Sequence, residues 1–481
     1  MLSGELEDLI RQIQSSKAEG QNLEVKAARE GCPSRLYDTL SAFSNQDGGG
    51  VLVFGLDESA GFGVVGVYDP QDLQHKVAEQ CKQMEPVVRA VFTVAVVDGK
   101  SVVSAEIPGA DPAVRPVFYR GAGRLKGAFV RVGGADEPMT EAEIYAFEAF
   151  RRRLRDDMRP VEGAGVGVFD KTLVCAYLDA VRRDRPNLAA SVADSDVLDR
   201  MGMTADGVPT LAGILMFCRY PQTWFPQSCI TAVVVPGACM GATGPGGERF
   251  IDNRRFTGPI PDMVRDACDF IARNTKVATT IDEHGRRTDK PEYPPRAVRE
   301  AVLNAVVHRD YGPYSETVPV RVEIYSDRLE IVNCGGLFGR TEIGDNGAVR
   351  PDTRNAVLAN AMEILHETEN RYSGIPTILR DCRDNGMPPP RFTSRHGEFK
   401  VTFFSEAGSS AIRFSKKTAK ESILAFCRTP RSRDEIVAFA GMSRFYVMSR
   451  FVEPMVADGT LEMSIPEKPR SRDQRFTARA V

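Results

Sequence analysis

The stretch that decides the fold is Tyr293–Tyr311, YPPRAVREAVLNAVVHRDY. Pro294 and Pro295 stand where a helix can begin, because a missing N–H costs nothing in the first turn. Ala297, Val298, Ala301, Val302, Ala305 and Val306 then recur at helical spacing and give one apolar face. Glu300, Asn304 and His308 follow at intervals of four, so they file along another face. Arg309 and Asp310 lie just beyond. Such a file can be a plain solvated stripe opposite a packed face. It can also be chemistry. A carboxylate four residues before an amide can polarise a water and ligate Mg²⁺ beside a nucleotide phosphate, since hard cations take oxygen ligands.

Working outward, three further strings follow in order: DRLEIVNCGGL at 327–337, TRNAVLANAM at 353–362 and SGIPTILRDCRDNGMPPPRF at 373–392. With Glu300-x-x-x-Asn304 they resemble a divergent branch of the GHKL ATPase fold, the ATP-binding (divergent-AAA) region of bacterial Schlafen-type proteins. The resemblance implies an ATP-binding α/β sandwich over 291–405. Glu300 would be a general base and Asn304 a holder of Mg²⁺ through the nucleotide. Asn333 stands where the usual aspartate helps hold adenine, and Gly335, Gly336 and Gly374 let backbone approach the ligand. Arg309 and Arg354 are candidate phosphate contacts; His308 is expected to be structural. No G-x-x-x-x-G-K-[ST] string occurs, which disfavours a motor ATPase or helicase.

Upstream, residues 1–155 alternate short helices with strands in an α+β pattern. A helix is expected over 3–16 with Ser3 as a possible cap, another over 33–45 and a third over 72–84. Strands are expected at 48–57, 64–67, 91–97, 101–107, 115–119 and 128–132. EGQNLEVK, SAFSNQDGGGVLVFGLDE and FVRVGGADEPMTEAEI resemble the Schlafen/Alba-type domain. That implies nucleic-acid binding, with Lys26, Arg120, Arg124, Lys126 and Arg131 as candidate phosphate contacts. In nucleolytic members three carboxylates hold Mg²⁺ or Mn²⁺ and cut RNA; by motif position these are Glu19, Glu24 and Asp57. Phosphodiester cleavage needs such oxygens. The structural alternative is that Glu24 pairs with Lys26 while Asp57 begins a turn.

Residues 156–290 are expected to be linker helices and an α/β connecting region, with helices in 170–203 and 261–274, a strand at 230–235 and a hairpin over 276–289. The last segment, 416–481, reads as three helices and a two-stranded wing, the layout of a winged helix-turn-helix. Its third helix would enter the major groove, which nominates Ser443, Arg444 and Tyr446. Lys468, Arg470 and Arg472 in the wing would sit on phosphate.

The 481 residues are enough for about three domains. Net charge is −3, yet Ala411–Val481 carries 14 Lys/Arg against 8 Asp/Glu, a basic end on an acidic body. The ten cysteines stand singly, with no C-x-x-C, so neither zinc nor a disulfide framework is expected and a cytoplasmic location is. No apolar run approaches the ~18 residues of a membrane span. The expectation is an α+β multidomain, homodimeric DNA-binding transcriptional regulator that senses a nucleotide. The alternatives are a metal-dependent endoribonuclease, with RNA as partner, and a low-turnover ATPase working through Glu300.

Overall fold

A computed structural model of the chain describes residues 1–189, 192–281, 287–343, 349–350, 352–365, 374–395, 397–405, 419–440, 447–468, 471, 474 and 475–479. Helix α1 (Ser3–Ser16) opens the chain. Its N-cap is Leu2 rather than Ser3, and the Glu5 carboxylate accepts from the Leu2 N–H. Strand β1 (Leu23–Lys26) leads to α2 (Tyr37–Ser44), which starts four residues later than Pro33. Strand β2 (Gly50–Phe54), helix α3 (Pro70–Lys82) and strands β3 (Val91–Val97) and β4 (Lys100–Ile107) complete a sheet in the order β1-β2-β4-β3. Only β1 and β2 run parallel in it.

Alternation along β2 feeds two cores at once. Val53 meets Leu6, Ile10 and Ile13 of α1, while Leu52 and Phe54 meet Leu40, Phe43, Leu73 and Val77. Successive side chains on a strand point to opposite faces, so one apolar run serves both layers. A hairpin of β5 (Phe129–Val132) and β6 (Ala135–Pro138) follows. Helix α4 (Glu141–Arg151) is held by a Thr140–Glu143 capping box and leads out of this unit.

The second sheet has six strands. They are β7 (Ile230–Val234), β8 (Asp252–Phe256), β9 (Val320–Ile324), β10 (Arg328–Cys334), β11 (Arg391–Arg395) and β12 (Glu398–Phe404), in the order β8-β7-β9-β10-β12-β11. Two of them precede residue 290, so the border expected there runs through the middle of one sheet. Its hydrophobic core likewise reaches from Val161 to Phe403 and takes in Tyr177, Leu211, Ile214 and Phe217. Helices α5 (Ile260–Asn274) and α6 (Pro295–Val307) pack on one face, with α7 (Ala356–Ile364) and α8 (Gly374–Asp384) beside them. The other face carries ion pairs: Arg321 grips Glu398 with two bonds of 3.0 and 3.1 Å, and Glu330 sits between Arg328 (2.7 Å) and Lys400 (3.0 Å).

Beyond it, helices Ala419–Phe426, Arg433–Ala440 and Glu453–Ala457 and strands Arg431–Ser432, Leu461–Met463 and Arg475–Ala478 form a unit with its own core. Ile423, Cys427, Ile436, Val452, Met455, Leu461 and Phe476 build that core. The Ser432 hydroxyl and Glu435 cap the second helix reciprocally. All ten cysteines are free. Among the described residues no helix is long and apolar enough to cross a membrane.

Candidate nucleotide site

Helix α6 explains the site. Its apolar face, Ala297, Val298, Ala301, Val302 and Ala305, is buried in the large core. That packing turns the Glu300–Asn304–His308 file toward a cavity of about 390 Å³, within the range of small-molecule sites. Glu300, Asn304, Asn333, Gly335, Gly336 and Gly374, the residues expected around a nucleotide, all line it. The Asn304 amide donates to Glu300 Oε1 at 3.1 Å, so the carboxylate and amide act as one polar edge. Gly374 begins α8 directly across from them. A Cβ at Gly374 would come 2.5 Å from Glu300 Oε1 and 2.8 Å from Asn304 Nδ2. Gly335, at φ +92°, has Asp310 where its Cβ would be, so glycine is needed on both counts.

The far wall joins Arg354, already a candidate phosphate contact, to residues that carry no motif of their own. Phe338, Thr341, Asp352 and Arg354 join the lining. Arg354 is 6% exposed and pairs with Asp310 at 2.5 Å. Its Nε has no hydrogen-bond partner among the described residues. A buried guanidinium N–H left unmade is costly. The His308 ring also faces this space. Arg309 does not join: its side chain is sunk in the core, donating to Ser228 Oγ (2.9 Å) and the Ser315 carbonyl (3.1 Å). It holds the chain turn after α6 and cannot touch a ligand. The polar groups lining the cavity fit a nucleotide, and Asn304 would be the residue to reach a Mg²⁺ carried on its phosphates. Ser373 lies outside the described residues.

The first-domain carboxylates are arranged differently. Glu24 lies on β1 and is 7% exposed; Lys26 Nζ and Arg131 Nη2 (2.7 Å) both pair with it. Glu19 accepts from the Val25 N–H at 2.7 Å, and burial raises its pKa. Asp57 is tied to Ser59 by bonds of 2.7 and 2.9 Å at the start of a turn, which hold its carboxyl below the usual range. These three do not assemble a metal cage: among the described residues no group of three His, Cys, Asp or Glu could hold an ion.

Two family models match the chain. Residues 19–140 match "Schlafen, AlbA_2", and residues 318–403 match "Putative ATP-dependent DNA helicase recG C-terminal", the GHKL-like HATPase_c_4 model. The chain carries a Schlafen AlbA_2 domain and a GHKL-like domain. No curated protein matches it. Among solved structures, the DIP2311 protein from Corynebacterium diphtheriae is 18% identical over 98% of this chain and 96% of its own, with a TM-score of 0.39. The N-terminal domain of a RecG-related protein from Nitrosomonas europaea is 26% identical over 28% of this chain and 92% of its own, with a TM-score of 0.23.

Within the AlbA_2 domain the structure corrects one expected contact. Arg131 is not a phosphate ligand; its side chain is 1% exposed, fixed by Glu24, Asp136 (2.8 Å) and the Leu23 carbonyl (3.1 Å) above the Phe43 ring. It ties β5 to β1. Lys26 stays partly exposed beside Glu24. Arg124 pairs with Glu148 and Arg120 with Glu85 at 3.7 Å, while Lys126 is exposed. In the C-terminal unit Lys468 is exposed; Ser443, Arg444, Tyr446, Arg470 and Arg472 lie outside the described residues. The sequence reasoning missed Phe338, Thr341 and Asp352. Nothing local marks them, because they reach the cavity only through the return of the chain after β10.

Proposed function

We propose that this protein is a DNA-binding regulator whose GHKL-like domain senses an adenine nucleotide. The AlbA_2 and ATPase-like matches point to nucleic acid and ATP as partners. The observation that carries the reading is the gathering of Glu300, Asn304, Asn333, Gly335, Gly336 and Gly374 round one cavity that Arg354 also lines. Asn304 would hold Mg²⁺ through the phosphates. Binding is proposed rather than turnover, with Glu300 the residue that any hydrolysis would need. The helices and three-stranded sheet of 419–478 support a winged helix, read here as the duplex-binding end, and a homodimer would present two of them.

The test is a titration of the full chain with a fluorescent adenine nucleotide and Mg²⁺, alongside duplex DNA at several salt concentrations. Asn304→Ala should abolish nucleotide binding. Arg444→Ala and Arg470→Ala should each weaken duplex binding and lower its salt slope by about one phosphate contact. Binding of neither ligand by the wild-type chain would overturn the reading. Cutting of RNA that stops in Glu24→Gln would replace it with the nuclease reading, which the dispersed carboxylates do not favour.

A further inference from the structure

Helix α4 lies in neither matched segment, yet it reaches the rim of the cavity. Phe338 lines the cavity. The Arg354 guanidinium stands 4.8 Å over its ring, and the Phe150 ring of α4 meets it edge-on with centroids 5.3 Å apart. The next residue, Gly339, is at φ +62°, and a Cβ there would fall 2.4 Å from Phe150 Cε2. Arg340 follows. Its guanidinium forks onto Asp111 of the first domain, Nη2 to Oδ1 at 2.9 Å and Nε to Oδ2 at 3.1 Å. The Arg340 backbone N–H donates to Asp352, and Thr341 bonds the Asp352 backbone. The rim is thus fixed from inside by Asp352 and from outside by Phe150 and Asp111. Neither Phe150 nor Asp111 touches the cavity.

We propose that Phe150 and Asp111 are positioning residues for the nucleotide site: the first domain sets the rim, and through Phe338 it sets Arg354. This rests on the reading that the cavity takes a nucleotide. The chemistry is direct. Arg354 is confined between Asp310 and the Phe338 ring, so where Phe338 sits decides where the guanidinium points. A nucleotide that draws Arg354 toward its phosphates pulls on Phe338, hence on α4. Coupling between two sites is reciprocal, so a ligand that shifts the first domain must alter nucleotide affinity by the same factor that nucleotide alters its own.

The experiment titrates the full chain with a fluorescent adenine nucleotide and Mg²⁺, comparing wild type with Phe150→Ala, Asp111→Arg and the double variant Asp111→Arg/Arg340→Asp. Thermal melts confirm that each is folded. Phe150→Ala should weaken binding about 2- to 10-fold, the worth of an edge-on aromatic pair. Asp111→Arg should weaken it as well, and the reversed pair should restore it. Rescue by reversal is a result that a general loss of stability would not give. Unchanged affinity in folded Phe150→Ala and Asp111→Arg overturns the proposal while the nucleotide reading stands. Absence of binding by the wild type overturns both. Should Phe150→Ala fail to fold, the solvent-exposed Asp111–Arg340 pair still decides.

Discussion

At position 374 a hydrogen is all that Glu300 and Asn304 leave room for. Gly374→Ala is therefore expected to push the two side-chain ends apart and to lose nucleotide binding with little change in melting temperature. Isothermal titration beside a melt checks both halves. Arg131 poses the opposite case. Arg131→Ala leaves Glu24 and Asp136 without their shared cation in a closed pocket, and removing one partner of a buried pair costs about 3–5 kcal/mol. Urea unfolding should show that loss; a variant that keeps its stability and only binds nucleic acid less well would restore Arg131 as a phosphate contact. The two residues differ in legibility for a physical reason. Gly374 sits in a recognisable motif, and so do Glu300 and Asn304, the residues it touches. The fate of Arg131 is settled by Glu24, more than a hundred positions away, and burial of that kind has no local mark.

Periodicity served well for single elements. The apolar spacing after Pro295 predicts a helix, and one forms over Pro295–Val307 with Glu300 and Asn304 on the cavity side. The runs Val91–Val97 and Val320–Ile324 are strands as their composition demands. Which strands share a sheet is another matter: β7 and β9 pair in parallel across some ninety residues, and only the fold reveals it. The charged face of that sheet yields a pH prediction. Burial works to raise the Glu330 pKa, but Arg328 and Lys400 outweigh it and hold it below the usual value. A carboxylate depressed on folding stabilises above its unfolded pKa, and that stability is lost as pH falls through the folded one. Melts of wild type should thus fall between about pH 4.5 and the lower folded value. Glu330→Gln should be less stable than wild type at pH 7, and the gap should close in acid. A constant gap would mean that the ion pairs contribute nothing to β10 and β12.

For the molecule as a whole, the cores say what melts together. The large core joins residues 161–403, whereas that of 423–476 shares no member with it. Calorimetry should resolve the C-terminal unit as a separate transition. Nucleotide at about a hundred times its Kd should stabilise the cavity-bearing transition by about 2.7 kcal/mol and leave the C-terminal one in place. One transition that shifts as a unit would show the large and C-terminal cores to be coupled. The basic character of the C-terminal end was legible in its composition. The continuity of 156–290 with 291–405 was not, because a shared sheet depends on pairings between distant strands.

Gly339 and Phe150 have a consequence for how this chain can drift. A side chain at 339 collides with the ring at 150, and the left-handed backbone there penalises it again. Position 339 alone is thus confined to glycine while the ring at 150 stands, whereas position 150 can shrink without a clash. A lineage that lost the first domain would lose the ring at 150, yet the left-handed backbone and the Asp352 carboxylate would still hold position 339 to glycine.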